Sequence, residues 1–224
     1  MASPKPGKNP ETQSLVISYL QLRRAIGVMG FSFPFILFLG AYFIGGYPMQ
    51  KSISAYYHTN MRDVFVGVLF VLAVFLFSYK GYGKVDNIIG FLGSVFALGT
   101  AIFPCAQGIP PLHVRETPEV LHLVFAGLFF GVLVVFSLFL FTRSHPQETP
   151  TRGKKLRNRV YIICGCVMII SILLAFAFIY FNLHKTSLAR LQPVFWLETT
   201  ALWAFGVSWF VKGRTIIRDV QVNG

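Results

Sequence analysis

Charge is scarce in this sequence. Of its 224 residues only 12% are Asp, Glu, Lys or Arg, against roughly 25% in a soluble domain. Water is therefore excluded as the solvent for most of the chain. Acids are scarcer still, eight against twenty Lys and Arg, and the formal net charge is +12. That excess does not indicate nucleic acid as a partner, because the basic residues sit in short loops between apolar runs. Three cysteines do not make a disulfide framework. Cys164 and Cys166, two apart in one apolar run, point to different sides of a helix, and Cys105 stands alone. All three read as small buried hydrophobes. No signal peptide is expected, since the apolar region begins near residue 25 and runs long. No small-residue cleavage site follows Arg23-Arg24, so this pair reads as positive charge flanking a signal anchor rather than a twin-arginine signal. Compact metal motifs such as His-Glu-x-x-His are absent too.

Apolar residues are abundant: 54% of the chain is hydrophobic, with 24 Phe, and the mean hydropathy is +0.62. A span needs roughly 20 apolar residues, so the length predicts about six spans and no separate soluble domain. The fold class expected is all-α, a polytopic six-helix transmembrane bundle. Residues 1–24 form a cytoplasmic tail, its first 13 polar and Pro-rich and the rest suited to an interfacial helix. Residues 25–211 carry the spans, and 212–224 form a second polar tail. The spans are placed at about 25–47, 61–79, 87–103, 117–141, 160–183 and 194–211. Pro34 predicts a kink in the first. Thr117 as cap, Pro118 and Glu119 mark the start of the fourth. Residues 143–159 read as a basic loop. Gly93, Ala97 and Ala101, like Gly127 and Gly131, recur at four-residue spacing, which suits close helix packing within the bundle or in a homo-oligomer.

Six spans place both termini on one side of the bilayer. Fifteen of the twenty Lys and Arg fall on that side; Lys51, Arg62, Arg115, Lys185 and Arg190 fall on the other. The positive-inside rule makes both termini cytoplasmic.

Most of the unusual polar residues then gather at the outer face. The stretch from Ser52 to Asp63 packs hydroxyls, an imidazole and an Arg–Asp pair into a dozen residues beside an apolar run. Ser54 and His58 share a face if the second helix starts before Met61, and Glu119 and His122 share one in the fourth span. Glu198 lies about one turn into the sixth span. Ionisable groups inside a span mark functional sites by default. His58, Glu119, His122 and Glu198 are thus candidate ligands for zinc or another divalent ion that activates water. Each also has an ordinary reading. Glu119 favours a helix N-terminus, His58 with Tyr56 and Tyr57 forms an interfacial belt, Arg62 and Asp63 meet headgroups or loop backbone, and His122 pairs with Glu198.

The element Ser54-Ala55-Tyr56-Tyr57-His58 resembles the Ser-x-x-x-His element of the CREST superfamily. These are membrane-embedded hydrolases and receptors, among them alkaline ceramidases and the progestin and adiponectin receptors. The resemblance covers about a dozen residues and implies a zinc ligand at His58, with Ser54 in a supporting or oxyanion-side role. The family's later His-x-x-x-His pair is absent, since His113 and His122 are nine apart. Asp63 also follows His58 more closely than the family's Asp does, and six spans replace seven. As a whole the chain resembles six-span bacterial membrane proteins with an Ile-Ser-containing first outer loop, which implies no particular activity.

Two functions compete. One is a metal-dependent hydrolase acting on a lipid-like amide or ester at the outer leaflet. In it Glu119 or Glu198 is the base, and Ser54 or Tyr57 steadies the oxyanion. The other is a non-enzymatic subunit, or a receptor for a lipid or small amphipathic ligand. Transport is less well served, because the inner halves of the spans carry almost no ionisable residues. Haem ligation by His58 and His122 is a further alternative.

Overall fold

The computed structural model describes residues 10–81, 83–110, 114–143 and 151–213, with only the backbone described for residues 10–18. The expected first nine residues of the tail, His113, part of the basic loop and most of the second tail lie outside the described residues. Among the described residues all regular structure is helical: α1 (Pro10–Gly45), α2 (Arg62–Ser78), α3 (Lys84–Ile102), α4 (Thr117–Val135), α5 (Arg152–Tyr180) and α6 (Pro193–Lys212). A π-helical segment, Phe136–Leu140, prolongs α4, and 3₁₀ turns occupy Ser54–His58, Leu183–Lys185 and Ser187–Leu191. Five stretches are long and apolar enough to cross a membrane: Tyr19–Gly45, Lys84–Ile102, Thr117–Leu140, Arg152–Tyr180 and Pro193–Lys212. The chain is an integral, multi-pass membrane protein.

Helix α1 runs unbroken through Pro34 for 36 residues. At about 1.5 Å per residue it outruns the roughly 30 Å hydrocarbon layer. Its first turns therefore belong to the same helix as the span rather than to a separate tail. Helix α2 has 17 residues and lies antiparallel to α1. At one end of the bundle Tyr19 donates its hydroxyl to the Lys80 carbonyl, and the Arg23 guanidinium stacks 4.2 Å above the Tyr19 ring. At the other, Asn60 reaches the Gly40 carbonyl at 3.5 Å. The C-terminus of α6 returns to the first end, where Arg24 Nε donates to Gly213 O at 3.3 Å.

Neighbouring helices pack in the order α2–α3–α4–α5–α6–α1, with α1 also touching α2. Small residues set the tightest contacts. A Cβ on Gly206 would stand 2.9 Å from Gly27 O and 3.0 Å from Phe31 N, so α1 and α6 meet backbone to backbone. On α3, a Cβ on Gly93 would come within 2.8 Å of Val132 Cγ1, and Ala97 and Ala101 are buried beside it. Gly127 and Gly131 differ. Nothing lies within 4 Å of a Cβ placed on either, and both are exposed. The two stripes look alike in sequence, yet one packs against a neighbouring helix and the other meets open space.

Sequence alone suggests a basic loop over residues 143–159, but α5 starts at Arg152. The Thr151 hydroxyl caps it, accepting from Lys154 N at 3.1 Å. Arg, Lys and Leu there are good helix formers, and the helix carries Arg157 inward to 8% exposure. The start of α4 also differs from expectation. Glu116, not Thr117, is the cap, and Glu119 accepts from the Glu116 N–H at 3.2 Å. A reciprocal capping box forms because the residue three positions after the cap carries a carboxylate.

Candidate functional site

The site is built where α6 begins. Phe195 N donates to Lys51 O at 3.1 Å, and Ile53 N donates to Glu198 Oε2 at 2.5 Å. Ser54 N–H lies in reach of the same carboxylate. A 3₁₀ turn leaves its first N–H groups without intrahelical partners, and Glu198, reaching across from another helix, supplies the acceptor. The 3₁₀ geometry also alters the expected pairing of Ser54 with His58. At three residues per turn, positions i and i+4 do not share a face, so these side chains diverge.

His58 turns instead to the segment after α3. Its Nε2 lies 2.7 Å from Cys105 O, and Cys105 Sγ donates back to Ser54 O at 3.0 Å. Burial raises the Cys105 thiol to about 12, and the nearby carboxylate of Glu198 raises it further within that value. His122, 4% exposed, places Nδ1 2.8 Å from Phe103 O. A carbonyl only accepts, so each imidazole spends its N–H on it. In the neutral ring His58 Nδ1 and His122 Nε2 keep lone pairs, and His122 Nε2 is buried without a partner among the described residues. Two imidazoles are thus held by carbonyls two residues apart, Phe103 and Cys105, and lie within electrostatic range of each other.

The other sequence-derived candidates have defined positions. Glu119 is engaged at the start of its own helix. Tyr57 accepts from Arg62 at 2.9 Å and lies 4.6 Å beneath the same guanidinium. Ser54 lines a small cavity of about 30 Å³ shared with Thr100, Phe129 and Glu198. Glu198 and Ser54 are therefore together, His58 and His122 flank residues 103–105, and Glu119, engaged at its helix end, lies within electrostatic range of Cys105. Among the described residues no three His, Cys, Asp or Glu side chains converge closely enough to hold a metal ion.

Sequence reasoning missed the main feature. A cavity of about 410 Å³ lies between α4, α5 and α6, lined by Leu123, Gly127, Phe130, Ser171, Ala175 and Glu198 among others. Its rim includes Val124, Leu128 and Phe176, which are 49%, 45% and 50% exposed on the flank of the bundle. It therefore opens sideways, not toward either end. Glu198 borders both this cavity and the smaller one. The hints in the sequence are Glu198, an acid inside a span, and Gly127, whose missing side chain leaves part of the space. No family model, curated protein or solved structure matches this chain.

Proposed function

We propose that this protein is a six-span membrane receptor or carrier for an amphipathic ligand. The ligand's chain lies in the cavity between α4, α5 and α6, and its hydrogen-bond-donating head meets Glu198. One observation carries the reading: an apolar cavity of about 410 Å³ opens to the bundle's flank with a carboxylate in its wall. Its size falls within the roughly 300–1,000 Å³ usual for small-molecule sites, which are apolar with few polar groups. A span-embedded carboxylate is costly, and a donor-bearing head would compensate it better than a hydrocarbon chain.

The six-span arrangement underlies this proposal. Helix α2 makes its end contacts at the levels of Tyr19 and Gly40. At about 1.5 Å per residue its 17 residues reach the short limit of a span. The basic end is then cytoplasmic by the positive-inside rule. Single cysteines at Arg115 and Lys154, in a background lacking the native thiols, label from opposite faces of sealed vesicles. Labelling of both from one face refutes this topology.

The ligand proposal is tested with dodecylamine, dodecanol and dodecanoate added to the purified full chain. Dodecylamine raises the melting temperature most, Glu198→Gln abolishes its advantage, and Gly127→Leu, which fills open space, removes the response to all three. Equal responses in wild type and Gly127→Leu refute the cavity as the site.

A second reading, hydrolysis of a lipid-like amide or ester, is supported by the two imidazoles held at Phe103 and Cys105. The 30 Å³ cavity beside Glu198 and Ser54 also exceeds the ~10–15 Å³ needed for one water. In this reading Glu198 takes the proton from water, and Ser54 or Tyr57 donates to the oxyanion. Zinc ligation by His58, His122, Glu119 and Glu198 in this reading requires these side chains to move together, since no three of them converge among the described residues. Elemental analysis without stoichiometric zinc, manganese or iron removes the metal from it.

A further inference from the structure

Two polar side chains line the apolar cavity between α4, α5 and α6: Glu198 from α6 and Ser171 from α5. Glu198 accepts from Ile53 N. The Ser171 hydroxyl makes no hydrogen bond among the described residues, although the residue is only 4% exposed. A hydroxyl so placed forfeits the bonds it has in water unless something in the cavity supplies one.

Buried hydroxyls elsewhere in the spans close onto backbone carbonyls. Thr100 Oγ1 donates to Phe96 O at 2.8 Å, Ser208 Oγ to Phe205 O at 2.8 Å and Ser137 Oγ to Tyr161 O at 2.9 Å. Ser171 does not, and its neighbours along the cavity wall, Ile172, Ala175 and Phe176 among them, are apolar. Ser94 and Thr199 are also buried without such a bond, but neither borders the cavity. Depth separates the two polar groups. Ile179 of α5 and Val194 of α6 pack in one apolar cluster and mark a common level near the connected ends of these helices. Ser171 lies eight positions before Ile179, and Glu198 four after Val194. At about 1.5 Å per residue these are about 12 and about 6 Å from that level, so Ser171 stands about 6 Å deeper. An extended chain advances roughly 1.2 Å per bond, so about five bonds span the difference.

We propose that Ser171 selects the ligand by donating its hydroxyl to a carbonyl oxygen about five bonds below the head held at Glu198. The ligand class is then an amine-headed amphiphile whose hydrocarbon chain is joined through an ester or amide. A ligand hydroxyl at this depth would leave one of the two O–H groups without an acceptor, because no other polar side chain lines the cavity there. The N–H of an amide, nearer the head, has the Glu198 carboxylate to meet. This role for Ser171 rests on the cavity being the ligand's site, as proposed above.

The test compares dodecylamine with N-(2-aminoethyl)nonanamide, which has the same chain length and a carbonyl oxygen five bonds from the amine. Binding of each to the purified full chain is measured by isothermal titration calorimetry in one detergent, so that partition into micelles cancels between variants. Ser171→Ala removes a hydroxyl that has no partner in the fold, and a melting curve verifies that folding is kept. It weakens the amide about tenfold and leaves dodecylamine within twofold of wild type. Ser171→Thr, which keeps the hydroxyl, restores the affinity for the amide. A merely structural role for Ser171 would move both ligands together, and that result overturns the proposal. So does a Ser171→Ala variant that binds both ligands within twofold of wild type; binding of dodecylamine that is lost in Gly127→Leu then leaves the cavity standing without the serine's role. If wild type binds neither amphiphile, the cavity reading falls and this one with it.

Discussion

Glu198→Ala is the most informative single change, because it removes the side-chain acceptor that, with the Phe195 N–Lys51 O bond, ties the first long loop to α6. Ile53 is 4% exposed, and its N–H has Glu198 Oε2 at 2.5 Å. A hydrogen bond contributes roughly 0.5–1.5 kcal/mol, and a buried donor left unsatisfied costs about 1–3 kcal/mol. Alanine should therefore destabilise the local closed state by about 3 kcal/mol. Glutamine keeps an amide oxygen for the same N–H and should cost about 1 kcal/mol. The consequence is read at Cys105, whose thiol is 3.0 Å from Ser54 O in the tethered segment. With Cys164 and Cys166 replaced by serine, maleimide reacts at Cys105 only when the segment opens. Each 1.4 kcal/mol is a factor of about ten in the open population. Labelling should thus accelerate about 100-fold in Glu198→Ala and less than tenfold in Glu198→Gln. If Glu198→Ala labels within twofold of wild type, Glu198 does not hold the loop and the argument from its hydrogen bond fails.

Gly93→Leu drives a side chain into Val132 and Leu76 and should prevent folding, or cost more than the roughly 1–3 kcal/mol of ordinary overpacking. Gly131→Leu meets open space and should leave the monomer's melting temperature unchanged, shifting only oligomeric state in size-exclusion light scattering. Burial pushes the Cys105 thiol of the folded chain up to about 12, against the ordinary 9.0. Below pH 9.0 the proton is bound in both states, and between 9.0 and about 12 only the unfolded chain releases it, so stability falls as pH rises through that window. Cys105→Ser should remove that part of the alkaline loss in a melting-temperature series from pH 8 to pH 11.

The membrane-embedded, all-helical nature of the chain and the approximate position of every helix were legible in the sequence. They follow from local quantities, the length and polarity of each run. Helix starts were less legible, since Arg152–Arg159 reads as loop by charge yet folds as α5. There the Thr151 cap and the helix-forming Lys, Leu and Arg residues outweigh what charge alone suggests. The place of Glu119 at a helix N-terminus was among the readings open from sequence, whereas its capping box with Glu116 was not, because Thr117 offered itself as the cap.

What only the tertiary structure decided is which residues meet. The convergence of Glu198 with Ile53, of His58 with Cys105 and of His122 with Phe103 joins positions up to 145 apart in the chain. No periodicity encodes such contacts. The same holds for the two small-residue stripes, identical in spacing and opposite in surroundings. It holds also for the cavity between α4, α5 and α6, a property of three surfaces at once. Sequence fixes each helix because its hydrogen bonds close within a few residues. The spaces between helices depend on packing across the whole bundle, which no single segment specifies.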